Sequence, residues 1–489
     1  MLNIADPLTH WAFATLISVV IGTCLLIAVA FLRRWQQVRY AHYVHTLRRK
    51  YRPVVAKVLA GARDHADIEA LRELPSADLE LLLEPLFSKR KLSERQLVFL
   101  QGLCAELEMI ALWQGRLASG HTAAGLPPAK VAPESSSGRA VTRYLLRAKS
   151  IRNLGKLRHR PSWPRVLAAL DDRHLDIQLV ALRSLAAMGV PESFAVLRER
   201  LHAAVQGEPT PLPWMTLLCA LASFDVSCAP ALSPSLCHPH PQIRLHAIEI
   251  LRTMACREAA RQAGFTLTAE LLTPTMVEWL LGGLAVDASA EIRAGAAEVL
   301  VFLPDPRVVA VLRSLLRDPQ WIVRQRTARA LAQVGQAAAP LRLEIRDCLY
   351  DPHWRVREAA IRTLIALGPE GRHLLYEHFL TFPSSPTREQ IVEVMELTGL
   401  MSTLVEDYSK GTDGLAALII EQVASDAAAL GLSGVLSTVN PETRQKFLDR
   451  FLPHARAKMR FMEEVQPQVE SDTGLQLDLD IAFSPHLAA

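Results

Sequence analysis

The chain has 489 residues, half of them hydrophobic, and its 54 Lys and Arg against 50 Asp and Glu give a formal charge of only +4. That length admits several domains or one extended repeat array with a large buried core. Seven cysteines, Cys24, Cys104, Cys219, Cys228, Cys237, Cys256 and Cys348, are scattered without a paired framework, which excludes a disulfide scaffold, suits a reducing compartment and leaves them as small apolar fillers.

The first informative segment is 11–32, WAFATLISVVIGTCLLIAVAFL, which carries no charge and is long enough to cross a ~30 Å hydrocarbon core as a helix. A cleaved signal peptide would have basic residues before a shorter apolar run. Here Asp6 precedes the run and Arg33, Arg34 and Arg39 follow it. The positive-inside rule therefore predicts a single membrane span, with residues 1–10 outside and the bulk of the chain cytoplasmic. A buried core helix is the alternative.

Residues 33–118 read as a juxtamembrane basic and helical region. No acid occurs from Pro7 to Arg63, where nine Lys and Arg do, and their simplest role is contact with anionic lipid heads. The first helix has no breaker until Pro53. Further helices are expected at about 66–74, 77–87 and 94–118, the last opened by the capping pair Ser93 and Gln96. Residues 119–138, SGHTAAGLPPAKVAPESSSG, have the composition of a flexible linker. A second acid-free stretch, 135–170, again holds nine Lys and Arg, so the rest of the chain carries 36 bases against 50 acids. This block suits the membrane, an acidic protein face, nucleic acid or plain solvent.

From 139 to 385 a repeat emerges. DPQWIVRQRTARALAQVG at 318–335 returns as DPHWRVREAAIRTLIALG at 351–368. The turn position is Asp172, His238, Asp287, Asp318 and Asp351, and five residues on stand Ile177, Ile243, Ile292, Val323 and Val356. Counting from that column, the positions four, eight and eleven further are again apolar in every unit except for Thr327, offsets that share one face of a helix. Directly after the first apolar column come Gln178, Arg244, Arg293, Arg324 and Arg357. A cation repeated beside a buried face needs a partner, and the turn aspartate of the same or an adjacent unit is the nearest. Asp287, Arg293, Asp318, Arg324, Asp351 and Arg357 are accordingly candidates for a structural ladder of charge-assisted bonds.

This pattern resembles the HEAT repeat in its bacterial, PBS-lyase-like form. The matching residues are Asp351, Pro352, Val356, Arg357, Ala360, Leu364 and Gly368, beside Asp318, Pro319, Val323, Arg324, Leu331 and Gly335. The resemblance covers roughly 160–370 and implies an all-α solenoid. Uneven spacing points to a degenerate unit around 212–224 and an insertion near 256–269. Helices at about 387–408, 413–438 and 441–465, the last opened by Asn440 and Pro441, would cap the array over 386–465. Residues 466–489 are acidic; they read as a disordered tail or a short docking segment.

Glycine-rich phosphate loops, H-E-x-x-H, C-x-x-C and any His-Glu dipeptide are missing from the sequence. CHPH at 237–240 lacks the close cysteine pairing of a zinc site. No catalytic, metal or cofactor residues are assigned, and an enzyme is not expected. In HEAT arrays the second helices commonly line the concave side, so the resemblance implies a mixed-charge groove. The outward offsets are Arg329, Arg355, Glu358 and Arg362, with Glu249, Glu291 and Glu298 in preceding units. Trp321 and Trp354 hold equivalent places, either packing between repeats or anchoring a partner. The expected function is a membrane-tethered scaffold that binds a protein partner at the cytoplasmic face. The alternatives are a PBS-lyase-type enzyme near the membrane or a membrane-recruited nucleic-acid binder, the latter disfavoured because no recognition motif is present.

Overall fold

The computed structural model describes residues 7–59, 65–88, 94–118, 136–268, 270–382, 387–411, 414–425 and 439–451. Most of the expected linker, the Ser93 cap and the acidic tail lie outside them. Among the described residues the regular structure is entirely helical. The fold class is all-α, built from HEAT-like helical repeats.

Contacts divide the chain into two compact units, Met1–Leu197 with Thr210–Pro213, and Arg198–Pro209 with Trp214–Ala489. In the first, α1 (Pro7–Leu59) is one 53-residue helix. Within it Ser18–Val55 is long and apolar enough to cross a membrane, and its apolar window is fully exposed. The helix passes through Pro53, since a proline removes one hydrogen bond and can kink a helix without ending it. There follow α2 (His65–Arg72), α3 (Ser76–Ser88), α4 (Glu94–Glu106) and α5 (Met109–Ala118). The single helix expected over 94–118 is thus two, bent by 73° across Leu107 and Glu108, with Glu108 at a φ of 55°. The bend lets both apolar faces bury: Leu100 and Cys104 on α4, and Met109 and Trp113 on α5. Trp113 meets Phe87 of α3 edge to face at 6.1 Å.

The unit continues with α6 (Ser136–Lys156), α7 (Trp163–Ala168) and α8 (Leu175–Met188), and the boundary falls inside α9 (Pro191–Val205). Helices α6 and α8 touch so closely that a Cβ on Gly155 would lie 2.5 Å from Ser184 Cβ. Only glycine fits there without a backbone shift.

The second unit holds α10 (Trp214–Ala222), α11 (Ser233–Leu236), α12 (Pro241–Arg261), α13 (Pro274–Glu278), α14 (Ala290–Leu300), α15 (Arg307–Leu315), α16 (Trp321–Val334), α17 (Arg342–Asp347), α18 (Trp354–Ala366) and α19 (Pro369–Thr381). Helices α10, α12, α14, α16 and α18 pack side by side in that order. The apolar columns of the repeat, on α8 in the first unit and on or just after α12, α14, α16 and α18 in the second, are core in each: eighteen of the twenty positions are buried, and Leu303 and Val334 are half-buried. Thr327, the polar exception, returns its hydroxyl proton to Val323 O at 2.7 Å and so buries no unpaired group. The degenerate unit expected near 212–224 is α10, and residues 262–268 and 270–273 between α12 and α13 are not helical.

Beyond the repeats lie α20 (Thr387–Leu397), α21 (Leu400–Lys410), α22 (Gly414–Ser425) and a helical stretch over 441–451. The helix expected over 387–408 breaks at Gly399, whose φ of 74° is left-handed. Glycine enters that region without steric cost, which is the signal a helical periodicity count passes over. At the last stretch Asn440 Oδ1 accepts from Glu442 N at 3.1 Å.

Candidate protein-interaction surface

Each turn residue has two tasks. Oδ1 of Asp172, Asp287, Asp318 and Asp351 accepts the backbone N–H two residues on, at 2.9–3.0 Å, capping the helix that follows. In the unit without an aspartate, His238 Nδ1 accepts from His240 N at 3.0 Å and does the same work. The carboxylates then receive the arginine of the preceding unit. Arg244 Nε donates to Asp287 at 2.8 Å. Arg293 donates from Nε and Nη2 to both oxygens of Asp318 at 2.7 and 2.9 Å, and Arg324 to both of Asp351 at 2.6 and 2.9 Å. The Nη1 of each arginine points back to its own turn, reaching Asp287 O, Asp318 O and Asp351 O from Arg293, Arg324 and Arg357 at 2.8–3.0 Å. One guanidinium thus clamps two successive turns.

Arg357 departs from the expected partner. It meets Asp351 only through the backbone carbonyl, and its Nε donates to Gln390 Oε1 on α20 at 2.9 Å. No aspartate follows at that end of the array, so an amide supplies the acceptor. In the first unit the ladder has a rung that the column count misses: Arg147 of α6 pairs with Asp172 at 2.8 Å. The signal was present, because Leu146, Ser150, Leu154 and Leu157 continue the column spacing around it. Ser150 in the second column and Val141 at the place of the turn acid hid it.

Among the described residues, three of the nine cations of the second basic block meet carboxylates within its own unit, Arg147 as above and two more on α3. Lys149 binds Glu80 at 3.1 Å, Arg152 approaches Glu84 at 3.6 Å, and Tyr144 donates to Asp176 at 2.6 Å. Glu80 is 3% exposed and also accepts from Trp113 Nε1 at 2.8 Å and from Arg116.

A parallel hub corrects the outward face. Glu298 is 2% exposed rather than on the surface. Arg329 donates to it at 2.6 Å, Arg326 binds its other oxygen, and Arg252 stands at 3.4 Å, so the hub ties α12, α14 and α16. Burial raises the Glu298 pKa, but the bonds from Arg326 and Arg329 and the charge of Arg252 outweigh it and hold the carboxyl below its ordinary value. Asp318 is likewise depressed: burial opposes, while Arg293, the Gln320 N–H and Arg324 prevail.

Of the remaining outward residues, Arg362 and Glu358 pair along α18 at 3.0 Å. Trp321, Trp354 and Arg355 come together at the starts of α16 and α18. Trp321 stacks on His353 with ring centroids 3.8 Å apart and planes within 1°, and the Arg355 guanidinium lies 5.6 Å from the Trp321 ring centre and 5.2 Å from that of Trp354. His353 also accepts from Arg355 N at 3.3 Å, which fixes the imidazole edge-on to the helix start. Trp354 remains 49% exposed. The two tryptophans therefore divide their roles, Trp321 packing between repeats and Trp354 facing out beside a cation.

Residues 277–345 and 315–396 match the family model described as HEAT repeats. The chain carries HEAT repeats, and the clamps from Arg293, Arg324 and Arg357 lie within that segment. Among solved structures it is similar to YibA of Escherichia coli, at 16% identity over 61% of this chain and 100% of that one, with a TM-score of 0.31. It is also similar to the CpcE–CpcF complex of phycocyanin lyase from Nostoc sp. PCC7120, at 18% identity over 55% of this chain and 97% of that one, TM-score 0.23. Importin beta overlaps 88% of this chain and 63% of its own at 12% identity, TM-score 0.34. No curated protein matches the chain.

Two outcomes follow from the clamp. Arg293→Ala leaves the Asp318 carboxylate stranded and should cost about 2 to 4 kcal/mol, the range for breaking a largely buried pair discounted for partial exposure. Thermal unfolding should show it against Arg342→Ala, whose side chain is 47% exposed; equal shifts would dismiss the clamp as a stabilising element. The second outcome is acid sensitivity. Asp172, Asp318 and Glu298 all have folded pKa values below 3.8, 3.8 and 4.5 respectively, their unfolded references. Their contribution is complete above those references and is lost as pH falls through the depressed folded values. The melting temperature should drop through this acid window, and Asp318→Asn should flatten part of the drop; an unaltered acid limb would refute the linkage.

Proposed function

We propose that the protein is a membrane-tethered HEAT-repeat scaffold, not an enzyme, which holds a protein partner at the cytoplasmic face of a bacterial inner membrane. The tether is the exposed apolar window of α1 followed by Arg33, Arg34 and Arg39, an order that sets the N-terminus outside. The observation that carries the binding reading is the Trp321–His353–Trp354–Arg355 cluster. It is an aromatic surface with a cation across it, set on two adjacent rigid repeats, and Trp and Arg are the side chains that most often dominate the energy of interfaces. Arg362 and Glu358 extend it along α18, whereas Arg329 serves Glu298.

A reporter fused at residue 120 should be active in its cytoplasmic form and silent in its periplasmic form; the reverse pattern removes the tether as drawn. For the partner surface the useful variant is Trp354→Ala with Arg355→Glu and Arg362→Glu, leaving Arg329 in place so that Glu298 is not stranded. Recovery of a stoichiometric protein partner from detergent extract should fall at least ~tenfold, since each lost anchor is worth on the order of 2 kcal/mol. Full recovery by a folded triple variant would move the binding surface off these helix starts.

A further inference from the structure

The cations of α1 fall into two groups with different surroundings. From Leu32, the end of the apolar run, Arg33, Arg34 and Arg39 lie within about 11 Å along the helix, at the depth of lipid headgroups. His45, Arg48, Arg49 and Arg52 lie about 20 to 30 Å along it, and a typical tilt shortens that by only a few per cent. There α1 and α3 enclose a groove of about 940 Å³ in which these four side chains stand over Leu82 and Leu86.

The groove gathers His45, Arg48, Arg49 and Arg52 over one apolar floor. By contrast, the arginines at the repeat turns are clamped between turns, and in the second basic block Lys149, Arg152 and Arg147 meet Glu80, Glu84 and Asp172. Around the groove the acids of α3 are engaged elsewhere, Asp78 by Tyr43 at 2.6 Å and Glu84 by Arg152 at 3.6 Å. Among the described residues no carboxylate pairs with His45, Arg49 or Arg52. Arg48 Nη2 donates to Leu81 O at 3.3 Å, while its Nε is buried without an acceptor. A guanidinium N–H in that position costs free energy until an acceptor arrives.

We propose that this groove receives an acidic amphipathic segment of a partner protein, with its carboxylates on His45, Arg48, Arg49 and Arg52 and its apolar side chains on Leu82 and Leu86. Charge complementarity requires an anion, and the aliphatic floor requires an apolar face on the same ligand. A nucleic acid would call for stacking surfaces, and the floor offers none. A lipid of the anchoring bilayer is excluded by depth, a step that rests on the membrane-tethered reading; the charge and floor arguments do not.

The test uses the full chain in phosphatidylcholine nanodiscs, titrated against a fluorescent peptide of glutamate and leucine with all glutamates on one helix face. Binding should weaken as salt rises. It should fall on the order of tenfold in Arg49→Glu with Arg52→Glu, fall also in Leu86→Asn, and stay unchanged in Arg143→Glu, an exposed cation of the other block. Unchanged affinity in the groove variant overturns the proposal, as does an equal loss in Arg143→Glu or indifference to Leu86→Asn, which would reduce the effect to general charge. Phosphatidylserine vesicles that displace the peptide from the wild type and fail to bind the groove variant would make this a lipid site instead. None of these variants touches Trp354, Arg355 or Arg362, so failure here and failure of the scaffold surface are read separately.

Discussion

The repeat array depends on the geometry of one side chain. An arginine placed directly after the first buried position of α12, α14, α16 and α18 has its stem held by the core and its planar fork at the helix start. There it donates to the carbonyls of its own turn and, from the opposite edge, to the carboxylate of the next. A lysine could neutralise the same aspartate, but a point charge cannot satisfy two turns at fixed angles at once. The aspartate in turn can accept the guanidinium and the capping N–H together, because a carboxylate has acceptor sites for both. Stacking angle, helix capping and charge neutralisation are therefore one interaction repeated, and His238 and Gln390 show what replaces it where an aspartate is absent.

Neutralisation runs through the rest of the structure. Glu80 and Glu298 each sit buried among cations drawn from several helices, an arrangement stable only while the pairing is complete, since a lone buried charge would force the group to protonate or the packing to open. Several basic residues of the repeats are thus engaged within the fold. The surfaces proposed for partners are the aromatic and cationic cluster at the starts of α16 and α18 and the groove between α1 and α3.

The class of fold was legible from the sequence because the HEAT pattern is local. Apolar residues at fixed offsets, an acid at the turn and an arginine one place after the first buried position are all separated by less than a repeat, and helical geometry alone carries them to one face. The apolar run over 11–32 and the arginines after it are equally local. Breaks set by a single residue were not legible: Glu108 and Gly399 interrupt helices whose composition reads as continuous, since a φ above zero depends on which faces must reach the core on either side.

The sites were legible as columns and opaque as partnerships. Spacing put Glu298 on the outward face with Arg329, and tertiary structure buried it, because Arg252 and Arg326 from neighbouring helices converge on the same carboxylate. Spacing also treated Trp321 and Trp354 as equivalents; the intervening His353 stacks flat on the first, which is half-buried, and leaves the second exposed. The sequence by itself determined the repeat, its buried face and the residues able to bridge successive turns, since these follow from the 3.6-residue period of one helix. Only the tertiary structure decided which charge meets which, where Arg357 ends the ladder, and which cations are left without a carboxylate, because electrostatic partnership is settled by distances between helices that no single helix encodes.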